Sequence, residues 1–300
     1  MKHALLSAPQ DTQYLPKVPS WAIRGRGDSL EEAAFASGAA LAALDAISGR
    51  EDIPLDLLRE RLCLRAAEAC VSMIGRTEPA SALRDEVQLL RAGDQPGPAG
   101  AILVQWRRAA ARRLTGSDLL QELPEQIAVR VPEWIASEPS APIARASHML
   151  EAVLSEFPHE ETLALILADA SLSRALGWRR IMPLLAFGLH RRHLRKEGES
   201  LRLACHRAVA TSSAEALRQA ADLARRASQL VTVAPKLRAR GSDEAVALFL
   251  STDAVSPTIA LTAPGIGMSD RAARRFCDRL VELGVVRELT GRATFRLYGL

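Results

Sequence analysis

Alanine and leucine dominate this sequence, and aromatic residues make up only 4% of it. Alanine and leucine have high helix propensities, whereas aromatic and β-branched side chains favour strands. The composition therefore disfavours a large β-sandwich or β-barrel, and we expect a mainly α-helical protein. A chain of 300 residues suits one large domain or two unequal ones.

Several classes of protein are disfavoured by what the sequence lacks. The apolar run that begins at Thr162 stops at Asp169, well short of the roughly 18 residues that a membrane helix needs. The apolar part of the N-terminus is too short for a signal peptide. The four cysteines include no Cys-x-x-Cys pair and suggest no disulfide framework. We therefore expect a cytoplasmic protein with no membrane contact.

Positive charge is concentrated in the last third of the chain. Residues 201–300 carry 15 Arg and Lys against 9 Asp and Glu, whereas residues 1–200 carry 24 against 26. The resulting net charges of +6 and −2 sum to the +4 of the whole chain. A basic segment of this kind indicates either a polyanionic partner or simply an arginine-rich set of solvated helices.

The first part of the chain is predicted to be a flexible tail (residues 1–20) followed by a helical body of unknown role (residues 21–235). A long helix from Ser200 to about Val233 ends before Pro235, and its length indicates either a break or the spine of a dimer. The proline-rich stretch 132–142 is predicted to be a loop or an internal boundary. The tryptophans are predicted to anchor the core. Shorter helices are predicted over Ser29–Ser48, Pro54–Ile74, Pro79–Arg91, 106–114, about 143–156 and about 160–175.

Residues 236–300 have the pattern of a small winged helix-turn-helix, which consists of three helices and a β-hairpin. Ser242 is predicted to cap the first helix, and Ser256 and Pro257 to begin a short second one. Ser269 is predicted to cap the third helix, which Gly284 ends.

The remaining parts of this pattern are a turn and a hairpin. Alternating β-rich runs on both sides of Thr290-Gly-Arg292 predict the hairpin. The connection from Leu261 to Ser269 is longer than the turn typical of the motif. Either the second helix extends further or the turn is expanded.

The third helix has an apolar face and an arginine face. Its apolar positions include Ala272, Ala273, Phe276, Leu280 and Leu283, and its arginines recur about one helical turn apart. In a winged helix, the N-terminal part of this helix contacts base edges while arginines reach phosphates. The predicted DNA-binding residues are therefore Ser269, Asp270, Arg271, Arg274, Arg275, Arg279 and, at the tip of the hairpin, Arg292.

Double-stranded DNA is thus the predicted partner, and a homodimer is expected because one winged helix offers little specific contact area. Such a protein would act as a transcriptional regulator or a plasmid-maintenance factor. The alternative is a helical interaction scaffold whose winged helix mediates protein contacts or dimerisation.

The tail that begins Met268-Ser-Asp-Arg-Ala-Ala-Arg-Arg-Phe and runs to Leu300 resembles the C-terminus of an uncharacterised alphaproteobacterial family, often plasmid-borne, with a domain of unknown function. The stretches Gly38–Asp45, Gly97–Gly100 and Val233–Arg240 are similar too. The resemblance implies a helical N-terminal region, a C-terminal helix-turn-helix and no catalytic residue. The tail also resembles plasmid-borne proteins distantly similar to Fic adenylyltransferases, but the motif of that activity is absent here.

The sequence predicts no cofactor, no metal and no catalytic residue. Glu156-Phe-Pro-His159 has the spacing of a di-iron motif, but its proline breaks the required helix. His190 and His193 would share a helical face, yet the arginines and lysine of residues 190–196 would repel a cation. That stretch is predicted to be a solvated basic surface, which is either a second polyanion contact or simply a loop between domains. An unrecognised enzyme in the body is a further alternative, which a deep pocket with convergent ionisable groups would favour.

Overall fold

The computed structural model describes residues 15–24, 29–90, 93–114, 121, 123–291 and 294–300. These residues form thirteen α-helices and one two-stranded sheet, which confirms a mainly α-helical protein. None of the described helices is both long and apolar enough to cross a membrane. The helices are α1 (Ser20–Arg24), α2 (Leu30–Asp45), α3 (Leu55–Met73), α4 (Ala80–Gln88), α5 (Pro98–Ala111), α6 (Glu125–Ala128), α7 (Val131–Ala136), α8 (Pro142–Glu156), α9 (Glu161–Ala175), α10 (Leu185–Gly188), α11 (Gly198–Val233), α12 (Ser242–Phe249) and α13 (Asp270–Glu282).

Helix α2 shows how local signals place an element. The Ser29 hydroxyl accepts the Glu32 N–H, and the Glu32 carboxylate accepts the Ser29 N–H, so the two residues form a capping box. The buried face of α2 consists mainly of small side chains such as Ala33, Ser37 and Ala40. These small residues allow α2 to pack closely along α11, which is the most extensive helix pair of the fold.

Helices α9 and α11 organise the body. Helix α9 is buried around its whole circumference from Leu163 to Ser173, as expected for a helix surrounded by others. It packs against α8 and α10. Helix α11 has 36 residues, which corresponds to about 54 Å, and it continues without a break. The single long helix expected here is therefore confirmed.

Two expectations for the body are wrong. Residues 132–142 do not form one loop, because Pro132 occupies the first turn of α7 and Pro142 begins α8. Proline fits there since the first turn of a helix needs no N–H donor at that position. Trp21 is not a core anchor but is 51% exposed, stacked on the 70% exposed ring of Phe35 at a centroid distance of 5.2 Å. The other tryptophans, Trp106, Trp134 and Trp178, are buried.

Residues 242–300 form a small C-terminal unit. After α12, Val255 pairs with Tyr298 as an isolated antiparallel bridge. A five-residue π-helical turn (Pro257–Leu261) precedes α13. Strand β1 (Arg287–Glu288) pairs antiparallel with β2 (Tyr298–Gly299), and Arg287 lies opposite Gly299.

The structure corrects details of this unit. Ser242 is not the cap of α12, because Gly241 occupies that position in a left-handed conformation with φ of 78°. The second helix is only the π-helical turn, and residues 262–268 form an expanded turn in which Gly267 N–H donates to Ala263 O (2.7 Å). Strand pairing extends through a bond from Leu289 N–H to Leu297 O (2.8 Å). The hairpin loop is thus longer than the Thr290–Arg292 turn that was expected.

Candidate nucleic-acid interface

The N-terminus of α13 is capped as the sequence predicts. The Ser269 hydroxyl accepts the Ala272 N–H at 3.3 Å, and Asp270 occupies the first turn. An acidic side chain is favourable there because the helix dipole is positive at this end. Gly284, with φ of 69°, ends the helix. Both residues that delimit α13 in the sequence therefore do so in the structure.

One face of α13 is buried and the opposite face carries arginines. Ala273, Phe276, Cys277 and Leu280 are buried, whereas Ala272 and Leu283 are only partly covered. The four arginines expected to face DNA are all exposed: Arg271, Arg274, Arg275 and Arg279. The packing of α13 thus presents the predicted arginines to solvent together.

The ion pairs on α13 divide these arginines into two groups. Arg274 pairs with Asp270 at 3.1 Å, and Arg279 pairs with Glu282 at 3.0 Å. Within the described part of the chain, Arg271 and Arg275 form no ion pair. Those two guanidinium groups lie one helical turn apart and keep their full charge available for an external anion.

The hairpin beside α13 contains one residue that the sequence predicted for the interface, Arg292, and one exposed residue that it did not, Phe295. Arg292, predicted to contact DNA from the hairpin tip, lies outside the described residues. Phe295 follows in the same loop, where it is 60% exposed and has φ of 57°. A left-handed backbone at a bulky non-glycine residue is uncommon. Sequence reasoning gave no signal for this exposed aromatic side chain.

Sequence reasoning also missed the basic linker that precedes α12. Lys236, Arg238 and Arg240 are exposed and occupy alternating positions. A Cβ at Gly241 would lie only 2.6 Å from the Ile266 carbonyl oxygen, so the linker lies directly against the turn that precedes α13. The alternation of basic residues just before a capped helix was the available signal. The linker therefore extends the positive surface of α13.

Arg61 of α3 fixes the C-terminal unit to the body. Its Nε donates to the Asp253 carboxylate at 2.9 Å, and its Nη2 donates to the main-chain oxygen of Leu300 at 2.6 Å. Asp253 and Leu300 are both buried. Arg84 adds a bond of 3.5 Å to the main-chain oxygen of Leu289. Arginines of the body thus hold the segments on both sides of the hairpin and leave α13 exposed.

A family model described as "Protein of unknown function (DUF1403)" matches residues 7–300. The chain belongs to this family. No curated protein matches the sequence. The match spans both the helical body and the C-terminal unit, and it confirms the expectation of a domain of unknown function that covers most of the chain.

A cleft of about 1060 Å³ in this DUF1403 chain lies between the body and α12. Asp56 accepts hydrogen bonds from Arg59 (2.6 Å) and Arg180 (3.0 Å) within it. The Trp178 indole N–H donates to Asp45 at 2.6 Å. Its other charged lining residues are Arg113, Arg179, Asp243 and Glu244.

Convergent ionisable groups in a cleft favour a bound polar ligand, which is the feature that would support an enzyme. However, no histidine or cysteine is among the described residues that line it. The Ser251 hydroxyl there donates to the Ala247 carbonyl at 3.0 Å, so it has no basic side chain as a hydrogen-bond partner. The cleft therefore suits ligand binding, and its described lining offers no nucleophile and base in contact.

Burial keeps the cysteine thiols of this DUF1403 chain protonated. All four thiols are buried, and burial raises the pKa of Cys70 to about 11 and the pKa values of Cys205 and Cys277 to about 12. Thiols held in the protonated form are poor nucleophiles and poor metal ligands. Across the described ranges, no group of three or more His, Cys, Asp or Glu side chains is arranged to hold a metal.

Proposed function

We propose that the C-terminal unit is a winged helix-turn-helix that binds duplex DNA through α13. The observation that carries this proposal is the exposed arginine face of α13 opposite its buried face. On that face, Arg271 and Arg275 have no ion-pair partner in the described chain. Unpaired guanidinium groups one turn apart suit the phosphates and guanine edges of DNA.

The order of elements supports this assignment. Helix α12, the Val255 bridge, the π-helical turn, α13 and the two strands follow one another as the parts of a winged helix do. The Val255–Tyr298 pair adds a third extended segment to the small sheet. In this assignment α13 is the recognition helix, and the hairpin of β1 and β2 is the wing.

The proposed interface assigns separate tasks to its residues. Ser269, Asp270 and Arg271 lie at the N-terminal end of α13, where a recognition helix contacts base edges. Arg274 and Arg275 lie one turn further on and would reach phosphates. Arg274 and Arg279 are paired with Asp270 and Glu282, so they contribute less than Arg275. Further phosphate contacts are assigned to Arg238 and Arg240 of the linker and to Arg292 of the wing.

We further propose that two copies act together as a cytoplasmic regulator of transcription or of plasmid maintenance. A dimer would read paired half-sites and would supply the contact area that one small unit lacks. The alternative function is a protein-interaction scaffold. The exposed stack of Trp21 on Phe35 favours that alternative, because aromatic side chains are enriched at protein interfaces.

The test is a fluorescence-anisotropy titration of a labelled pool of random 30-base-pair duplexes at salt concentrations from 50 to 300 mM. The α13 variant is Arg271→Gln with Arg275→Gln, which removes the unpaired charges. The control variant is Arg218→Gln with Arg225→Gln on α11. It removes the same net charge from exposed arginines that are paired with Glu215 and Asp222.

We expect salt-sensitive binding by the natural protein, with a log–log slope of about −4 to −5 per bound copy if each copy neutralises roughly five phosphates. The α13 variant should have a slope shallower by about 1, because Arg275 is the phosphate contact that it removes, and it should bind more weakly at every salt concentration because the Arg271 base contact is lost. The control variant should match the natural protein. Enriched sequences from the same pool would then define the operator. A natural protein that does not bind duplex DNA at low salt would refute the proposal.

A further inference from the structure

The basic loop, residues 190–196, is the strongest positively charged surface of the body outside the C-terminal unit. It contains Arg191, Arg192, Arg195 and Lys196 and no acidic residue. Most arginines elsewhere in the body are paired with carboxylates, as in the pairs of Arg50, Arg65, Arg76, Arg107 and Arg130. No ion pair involves the cationic side chains of the loop within the described chain. Glu197 and Glu199 follow it without pairing to it.

The loop is ordered by its own hydrogen bonds and does not continue as the helical face expected for His190 and His193. His193 N–H donates to His190 O (2.7 Å), Leu194 N–H to Arg191 O (3.2 Å) and Lys196 N–H to His193 O (3.1 Å). These successive turns replace a helix. The His193 Nδ1 accepts the His190 N–H at 3.2 Å.

Both ends of the loop are anchored to the body. Leu189 is buried before it, and the Gly198 N–H after it donates to both oxygens of the Glu151 carboxylate (3.1 and 3.2 Å). Leu194 packs partly against the core. The cationic side chains therefore project from a fixed backbone, and ordering them on an anion costs less conformational entropy.

The pKa of His193 reflects the concentration of positive charge around it. Burial lowers the pKa of His193, and the charges of His190, Arg192, Lys196 and Arg207 lower it further. Because that pKa lies below its ordinary value, His193 is mostly neutral at physiological pH. Removal of a nearby cation should raise the pKa.

We propose that the basic loop is a second DNA-backbone contact that binds phosphates independently of sequence. Arginine forks match phosphate oxygens with two hydrogen bonds, and three of the four cations are arginines. The loop contains no exposed apolar side chain that would insert into a membrane, since Leu194 packs inward. The arginine side chains and the fixed backbone of the loop thus favour the phosphates of nucleic acid as its ligand.

The length of α11 is compatible with contacts to one duplex. The basic loop precedes α11 and the basic linker follows it, and the 36 residues of the helix correspond to about 54 Å. A 30-base-pair duplex is about 100 Å long, so it is long enough to reach both.

This inference rests on the proposed function, and the same titration tests both separately. The loop variant is Arg191→Gln with Arg195→Gln, measured on the 30-base-pair pool beside the α13 variant and the control variant. Circular dichroism establishes that all four proteins fold alike. We expect a salt slope about 2 shallower for the loop variant than for the control variant. Between 50 and 200 mM salt, the control variant should then lose about 16-fold more affinity than the loop variant.

Each outcome has a defined meaning. A loop variant that matches the control variant, while the α13 variant loses binding, refutes the loop contact and leaves the proposed function standing. A loop effect without an α13 effect supports the loop contact and refutes α13 as the interface. Absence of DNA binding by every protein refutes both. Binding to vesicles of phosphatidylserine but not to DNA assigns the loop to membranes and also refutes the inference.

Discussion

The buried carboxylate of Asp169 allows the free-energy cost of burying a charge to be compared with the stabilisation from its hydrogen bonds. Its carboxylate is fully buried in α9 and accepts N–H bonds from Leu184 (3.1 Å), Leu185 (2.9 Å) and Ala186 (3.4 Å). These N–H groups lie at the start of α10, so the side chain caps a helix that is distant in sequence. Burial raises the pKa of Asp169 to about 7, although the three N–H bonds lower it.

This raised pKa makes stability depend on pH in a definite direction. Because the folded-state pKa lies above the ordinary value of 3.8, the folded protein binds more protons than the unfolded chain between about pH 4 and 7. The free energy of unfolding therefore falls as pH rises through that range. The difference between 3.8 and about 7 corresponds to roughly 4 kcal/mol in total. About 3 kcal/mol of this is lost between pH 4.5 and 7.5.

Asp169→Asn removes the titration and keeps one carbonyl oxygen as an acceptor. In urea unfolding followed by circular dichroism, we expect the natural protein and this variant to have similar stabilities at pH 4.5. At pH 7.5 the variant should be more stable by about 3 kcal/mol. Asp243→Asn, at an exposed position of α12, is the control and should leave the pH profile unchanged. Parallel profiles for the natural protein and Asp169→Asn would show that the N–H bonds outweigh burial.

Two further predictions concern packing and the attachment of the C-terminal unit. Gly188→Ala should destabilise the protein by about 2 kcal/mol in urea unfolding, because the new Cβ would lie 2.6 Å from the Ser212 hydroxyl. Gly38→Ala, with open space around it, should instead stabilise α2 by about 0.5–1 kcal/mol, and equal effects would contradict the packing argument. Arg61→Met should cost about 3 kcal/mol and speed proteolysis of the C-terminal unit, because it leaves the buried Asp253 unpaired. Adding Asp253→Asn to Arg61→Met should recover part of the lost free energy of unfolding. If the two substitutions instead lower it by strictly additive amounts, the Arg61–Asp253 ion pair does not contribute to stability.

The elements that could be predicted from the sequence are those specified by neighbouring residues. Ser29 and Ser269 cap α2 and α13 through bonds to residues three positions away, so the sequence contains the complete signal. The buried face of α13 follows from its periodicity. Helix α11 ends at Val233, just before Pro235. Caps, periodicity and proline positions are local, and the helix bounds derived from them agree closely with the structure.

The features that could not be predicted depend on residues far apart in the chain. The Val255 bridge joins Tyr298 across 43 positions, and Arg61 reaches Asp253 across 192 positions. No periodicity within one segment indicates such pairs. Trp21 is a related case, because a large apolar side chain predicts burial on average. Its exposure depends on the helices that surround α1 in the fold.

For the candidate interface, the decisive property is which charges remain unpaired, and the sequence alone does not give it. Residues 1–200 carry a net charge of −2, yet the basic loop within them has no carboxylate partner in the described chain. Helix α13 was recognised by its arginines, but pairing with Asp270 and Glu282 separates Arg274 and Arg279 from Arg271 and Arg275. Exposed ion pairs contribute little to stability and leave less net charge for a partner. The electrostatic argument therefore compares exposed arginines that have an ion-pair partner with equally exposed arginines that have none. The net charge of a segment does not make this distinction.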